Sequence, residues 1–301
     1  MRKSFILRLT GLLALTAVFG LIGTDAGARV KASRYLKPHT TSGLAVPGTA
    51  RGALSSRSLM PKDAVTASAP SRVTIAGYVP GHGNLQNGIY SFDVGPNPQL
   101  TLLFHDDQAR FSVDGGGTYY DGKYYYIEWH YGLMSDEIYA HYGIQETENW
   151  TELYRSAMDQ NPIDEHSIAM DLAYCPADNT IYGVFEDYEV IPDAYTYYFG
   201  KLNQYGEREG IAQLDKRYWA VAADSEGNIF GIDADGWLCS FDRATGTVRR
   251  VGDTGIDPFY MQSATFDFRT GTMYWVASGK NILTALYTVN TSTGAVTKVC
   301  D

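Results

Sequence analysis

The sequence predicts an all-β fold, a β-propeller of about five four-stranded blades whose ring is incomplete or open. Three observations predict it. Residues 218–252, YWAVAADSEGNIFGIDADGWLCSFDRATGTVRRVG, hold four short apolar and aromatic runs (219–223, 229–232, 237–241 and 248–251) separated by turns rich in Asp, Gly, Ser and Asn. Units of this kind recur: aligning second strands on Ile181, Ile229 and Met273 gives steps of 48 and 44 residues, the spacing of propeller blades. A turn pattern, D/N-x-x-T-G, occurs three times between strand-like runs, as Asp242 to Gly246, Asp267 to Gly271 and Asn290 to Gly294.

The chain opens with the three parts of a secretory signal. Arg2, Lys3 and Arg8 form the positive region, residues 9–22 the apolar core, and Ala26-Gly27-Ala28 an A-x-A cleavage site. Thr10, Gly11, Thr16, Gly20, Gly23 and Thr24 dilute the apolar run below what a membrane anchor needs, so cleavage after Ala28 is expected, with a mature chain beginning at Arg29. Residues 29–70 show no strand or helix period and are rich in Ser, Thr, Ala, Gly and Pro, which reads as a disordered basic linker. That segment holds seven Lys or Arg against one acid, whereas residues 71–301 hold 14 basic and 32 acidic side chains, a net of −18. The linker is thus suited to lie on the acidic domain or on an anionic envelope surface, or to act as a solvated spacer.

From residue 71 the strands come at regular intervals. RVTIAGYV (72–79), GIYSFDV (88–94) and LTLLFH (100–105) give three strands with no clear fourth. Between 116 and 156 come GGTYYD, KYYYIEWH, EIYAHYGI and TELYRS; between 168 and 214, IAMDLAY, TIYGVFED, YTYYFGKL and GIAQL. The 218–252 unit follows, and QSATFDF, TMYWVAS, TALYTVN and AVTKVC end at Cys300. The total is 19 strands. Nothing after Cys300 supplies the missing one, so the expectation is that residues 29–70 contribute it or that the ring stays open, exposing residues 71–105 and 262–300 as edges.

The turns have a local physical cause. An Asp or Asn at the first position accepts a hydrogen bond from the backbone N–H two residues on, and the closing Gly supplies the positive φ that re-enters the strand. Asp242, Gly246, Asp267, Gly271, Asn290 and Gly294 are therefore structural turn residues.

AADSEGNIFGIDADGWLCSFDRATGTVRRVGDTG and MQSATFDFRTGTMYWVA resemble the propeller-like region of large secreted surface proteins of Bacteroidales bacteria, which often also carry choice-of-anchor or cleaved-adhesin and fibronectin type III modules. GYVPGHGNLQNGIYSFDV and GGGTYYDGKYYYIEWHYG resemble its opening, so the likeness covers about residues 71–301. It implies an exported propeller at the cell surface and carries no catalytic motif onto this chain.

Signatures of other chemistry are not met. Asp224-Ser-Glu226-Gly-Asn228 and Asp233-Ala-Asp235-Gly236 miss the EF-hand register and read as hairpin turns. His39, His82, His105, His130, His141 and His166 form no zinc-hydrolase spacing, and neither G-x-S-x-G nor the sialidase S-x-D-x-G-x-x-W box occurs. DSEGNIFGID does resemble a turn of NHL and lactonase-type propellers, although hairpin geometry explains it equally well. No metal or cofactor is expected. Cys175, Cys239 and Cys300 are an odd set, and their positions favour buried free thiols over a disulfide framework.

In a propeller the loops joining second to third strands and those joining successive blades share one face around the central channel. Here they carry Trp129, His130 and Tyr131; Asp187, Tyr188 and Tyr195; and, between blades, Asp106, Asp107, Trp219, Asp257, Phe259 and Tyr260. Of these, Trp129, His130, Tyr131, Tyr188, Tyr195, Trp219, Asp257 and Tyr260 are the candidate ligand-binding residues, because aromatic faces beside carboxylates suit sugars or basic and aromatic peptides. The function expected is that of an exported binding or scaffolding domain in the periplasm, on the outer surface or secreted. Its partner would be a protein or glycan of the envelope, not a nucleic acid, and no stable transmembrane segment would remain after signal cleavage. The second reading is a secreted or periplasmic propeller hydrolase or lactonase.

Overall fold

The computed structural model describes residues 18–21, 73–79, 85–106, 112–131, 138–156, 167–189, 194–203, 205–259, 262–280 and 282–300. They form five four-stranded antiparallel sheets arranged as a five-bladed β-propeller. Blade I is β1 (Val18–Leu21), β2 (Thr74–Val79), β3 (Gly88–Asp93) and β4 (Thr101–His105). Blade II is β5 (Ser112–Tyr120), β6 (Lys123–Tyr131), β7 (Ile138–Glu146) and β8 (Glu152–Arg155). Blade III is β9 (Ser167–Cys175), β10 (Thr180–Glu189), β11 (Ala194–Leu202) and β12 (Arg208–Leu214). Blade IV, the unit most legible in the sequence, is β13 (Tyr218–Ala223), β14 (Ile229–Asp233), β15 (Trp237–Phe241) and β16 (Val248–Asp253). Blade V is β17 (Ser263–Asp267), β18 (Thr272–Gly279), β19 (Ile282–Val289) and β20 (Val296–Cys300). Among the described residues no helix is long and apolar enough to cross a membrane.

Burial falls from the axis outward, as the residue types require. All six residues of β13 are buried, whereas the outer strands β4, β8, β12, β16 and β20 are largely exposed or half-buried. In every blade the pairing of third with fourth strand carries one register shift, at Ile89/Tyr90, Ile144/Gln145, Phe199/Gly200, Leu238/Cys239 and Leu286/Tyr287. Such bulges add twist at the outer edge of a sheet and discourage pairing with another chain.

The ring is closed, where the sequence left one blade a strand short and expected residues 29–70 to supply it or the ring to stay open. The strand missing from blade I in the sequence comes neither from residues 29–70 nor from the C-terminus. It is β1, within the run read as the apolar core of a signal, pairing antiparallel with β2 in the register Val18↔Tyr78, Phe19↔Gly77, Gly20↔Ala76 and Leu21↔Ile75. β1 also lies beside β5 and β17, so the first strands of all five blades make a continuous inner circle. The three strands found for blade I in the sequence are thus its second, third and fourth. The linker read at 29–70 lies outside the described residues, apart from which the total is 20 strands.

Five apolar wedges between blades complete the circle. Ile127, Leu172 and Phe185 join blades II and III; Phe199, Val221 and Phe241 join III and IV; Ile232, Met273 and Trp275 join IV and V. Ile75 packs with Val276, Leu286 and Cys300 to join V to I, and Tyr78 and Ile89 pack with Tyr124 and Tyr126 to join I to II. Blade I is therefore anchored on both sides by β2 and β3 as well as by β1.

The three D/N-x-x-T-G turns share one geometry. Asp242 Oδ1 accepts from the N–H groups of Ala244 (3.0 Å) and Thr245 (2.8 Å), and Asn290 Oδ1 accepts from those of Ser292 (2.9 Å) and Thr293 (3.1 Å). The N–H of the closing Gly bonds the first residue's carbonyl at 2.8, 2.7 and 2.8 Å for Gly246, Gly271 and Gly294. Gly246 and Gly271 have φ of 68° and 67°, but their surroundings differ. A Cβ on Gly246 would lie 2.4 Å from the Ala212 Cβ, whereas one on Gly271 would meet nothing within 4 Å. Gly271→Val should therefore cost about 1–2 kcal/mol of backbone strain and Gly246→Val about 2–4 kcal/mol, the excess arising from overpacking. Denaturant melts compare the two, and equal losses would contradict the packing argument.

Candidate functional site

The axis of the ring is filled by a carboxyl group. Asp171, on β9, is fully buried. Its Oδ2 accepts from the N–H of Val221 on β13 (2.9 Å) and of Ala264 on β17 (3.2 Å), and its Oδ1 from the Ser263 hydroxyl (2.9 Å). β5 approaches from the other side, where a Cβ on Gly116 would lie 3.1 Å from the Asp171 Cα. One side chain thus ties blades III, IV and V together beside blade II. Burial pushes the Asp171 carboxyl well above the usual carboxylate range, against the opposing pull of these hydrogen bonds. Further along the inner strands, Thr118, Ala173, Ala222 and Phe266 border a cavity of about 10 Å³, room for one water. Among the described residues the centre is thus packed around the Asp171 carboxyl.

A different arrangement is built at the junction of blades III and IV. Arg217 ends the loop from β12 to β13, and its carbonyl accepts from the Ala234 N–H in the β14–β15 turn (2.9 Å). Its guanidinium donates from Nε (2.5 Å) and Nη2 (2.7 Å) to the two oxygens of Glu186 on β10. Three aromatic rings surround it, with centroids 4.7 Å (Trp219), 5.5 Å (Tyr195) and 5.8 Å (Tyr197) from the guanidinium carbon. Glu186 is buried, and burial raises its carboxyl above the ordinary glutamate range although Arg217 pulls it down. Arg217 Nη1 makes no hydrogen bond among the described residues, and the buried indole Nε1 of Trp219 has no partner there either. A buried N–H without an acceptor is uncommon and calls for a reason.

A second charged group continues along blade IV. Asp233 Oδ1 accepts from the N–H groups of Asp235 (3.0 Å) and Trp237 (2.9 Å), so this carboxylate builds the turn. Its buried Oδ2 accepts no hydrogen bond among the described residues and faces Lys216 (3.7 Å) and Arg250 (3.8 Å). Asp235 pairs with Lys216 and lies 3.6 Å from Arg250, which stacks over Trp237 with its guanidinium carbon 4.8 Å from the ring. Asp224 likewise accepts from Glu226 and Asn228 within its own turn.

Of the residues singled out in the sequence, Tyr195 and Trp219 come together, both against the Arg217 guanidinium. Tyr195 is 47% exposed and Trp219 is buried. Tyr188 faces Tyr195 across β10 and β11 in the backbone register. Trp129, His130 and Tyr131 lie at the end of β6; like Tyr188, they have side chains outside the description. Asp257 is apart from this cluster, paired with Lys280 of blade V at 3.1 Å, near the exposed Phe259. Asp106 accepts from the Tyr78 hydroxyl at 3.2 Å, and Asp107 and Tyr260 lie outside the described residues. Of the carboxylates expected beside aromatic faces, Asp187 is occupied by Arg208 through a two-point contact at 2.6 and 2.9 Å, as its neighbour Glu186 is by Arg217.

Sequence reasoning missed Arg217, Glu186 and Tyr197. One signal was available: basic residues are scarce in residues 71–301, yet Lys216 and Arg217 stand side by side immediately before Tyr218 and Trp219 in a loop between blades. Cys175, Cys239 and Cys300 are buried, and among the described residues none forms a disulfide and no three His, Cys, Asp or Glu side chains gather in a metal-binding group.

No protein-family profile matches the chain, and no curated protein matches its sequence. Solved structures align with it at low identity. TolB from Acinetobacter baumannii aligns at 10% identity and a TM-score of 0.40 over 70% of this chain and 48% of that one. A gluconolactonase from Xanthomonas campestris aligns at 14% and 0.36 over 70% and 67%. PorZ, a surface component of the type-IX secretion system of Porphyromonas gingivalis, aligns at 13% and 0.36 over 71% and 30%. The chain thus spans about half the length of TolB and less than a third of PorZ, and these likenesses bear on the fold alone.

Proposed function

We propose that the chain is an exported propeller that binds a neutral saccharide of the bacterial envelope at the junction of blades III and IV. The observation that carries this reading is Arg217 held among Tyr195, Tyr197 and Trp219, with Tyr195 47% exposed and Arg217 Nη1 making no hydrogen bond among the described residues. The exposed part of Tyr195 offers aromatic surface to a sugar ring, and Arg217 Nη1 offers a donor to its hydroxyls. Because Glu186 and Asp187 are neutralised by arginines, the site carries little free charge, which suits an uncharged ligand better than a basic or acidic one. The most strongly perturbed carboxyl, Asp171, is sealed and saturated with hydrogen bonds, so it suits holding the ring together better than acting as a catalytic acid. Export rests on the signal-like N-terminus and its A-x-A site.

Titration calorimetry with neutral oligosaccharides released from bacterial envelopes tests the reading. At least one should bind, and Tyr195→Ala should weaken it about tenfold or more while leaving the melting temperature nearly unchanged. No binding by any neutral fragment, or full affinity in Tyr195→Ala, contradicts it.

A further inference from the structure

Two findings conflict unless the chain changes state. The segment that closes the ring, Val18–Leu21, lies upstream of the A-x-A site at residues 26–28, and a peptidase cutting there would separate β1 from the rest of the propeller. Its loss removes one strand from the inner circle but leaves blade I wedged on both sides. Ile75 stays packed on Val276, Leu286 and Cys300, and Tyr78 and Ile89 stay packed on Tyr124 and Tyr126. The result is a slot one strand wide. One wall is the edge of β2, whose backbone groups then lose their partners, and β17 and β5 flank it.

We propose that the exported, cleaved protein is a strand acceptor, taking an extended apolar segment of an envelope partner antiparallel to β2 in the place that β1 holds. This rests on the export reading above. The chemistry of the occupant follows from the one seen there, Val-Phe-Gly-Leu, which is apolar, four residues long and has a glycine paired with Ala76. An unpaired strand edge recruits such segments through main-chain hydrogen bonds, with the occupant's side chains setting specificity. Of the five residues from Ile75 to Val79 all are buried, so an empty slot exposes apolar surface that a partner strand covers again.

The test compares the cleaved chain, residues 29–301, with a full chain kept uncut by Ala28→Tyr, after N-terminal sequencing has shown where the exported product begins. The probe is a synthetic peptide of residues 16–23, TAVFGLIG. The β2 amides facing β1 should exchange at least about 100-fold faster in the cleaved chain than in the uncut one, and the peptide should restore at least about tenfold protection. If residues 29–301 do not fold, a full chain with a protease site inserted after residue 28 is folded first and then cut. Retention of the N-terminal fragment by the folded domain then supports the proposal. Equal β2 protection in a monomeric cleaved chain, protection by a homodimer without peptide, or release of the fragment with no rise in exchange overturns it. A product that still begins at Met1 defeats the export reading instead, and is recognised before any exchange is measured.

Discussion

Asp171→Ala is expected to be the most damaging substitution in the propeller, costing about 3–5 kcal/mol. It strands the buried N–H groups of Val221 and Ala264 and the Ser263 hydroxyl at the one point where three blades meet, each at a cost of about 1–3 kcal/mol. Asp171→Asn keeps an acceptor for the two N–H groups and should cost no more than about 1–2 kcal/mol. Acidity adds a signature that shape alone would not give. Burial raises the Asp171 pKa in the folded state, so the folded protein holds that proton more tightly than the unfolded chain, whose aspartate titrates near about 3.9. The stability this group contributes is fully present below that unfolded value and is lost as pH rises through the raised folded one. The asparagine variant lacks this slope, so the wild-type advantage over Asp171→Asn should be larger at pH 5 than at pH 8. Thermal melts of both proteins at the two pH values measure it, and a difference that grows with pH would contradict the account.

Arg217→Ala should have the next largest effect. It leaves Glu186 buried without its partner and removes the cation from three aromatic faces, for a loss of about 2–3 kcal/mol, moderated because Arg217 is partly exposed. Glu186→Ala should cost a similar amount by leaving the guanidinium unpaired. The double variant should lose about 1–2 kcal/mol less than the two single losses together, since each single change already breaks the same contact. Denaturant melts of the four proteins complete the cycle, and strictly additive losses would mean that the pair is not coupled.

What was legible in the sequence is what short-range physics controls. The hairpins at Asp242, Asp267 and Asn290 were readable because their hydrogen bonds close within four residues, and blades III to V because each strand pairs with its neighbour in sequence. Blade I was misread for the opposite reason. Its first strand lies more than 50 residues before its second, inside a run whose apolar character also fits a signal core, so composition could not distinguish the two roles. The hub and the candidate site were hidden by distance as well. Asp171 meets partners 50, 92 and 93 positions away, and Glu186 meets Arg217 across 31. Tyr195 and Trp219 were found because blade geometry assigns their loops to one face, but the arginine that joins them leaves no periodic trace.

The central claim, that ligand is bound where Arg217, Tyr195 and Trp219 meet and not at the axis, is tested most directly by the tryptophan indole resonances. The chain has five tryptophans: Trp129, Trp150, Trp219, Trp237 and Trp275. Trp275 is a built-in control, fully buried with its Nε1 donating to Gln262 at 2.9 Å. On titration with a bound neutral oligosaccharide, the Trp219 indole N–H signal should move with ligand occupancy while that of Trp275 stays fixed. A shift confined to other tryptophans, with Trp219 unmoved at saturation, would place the ligand elsewhere and contradict the claim.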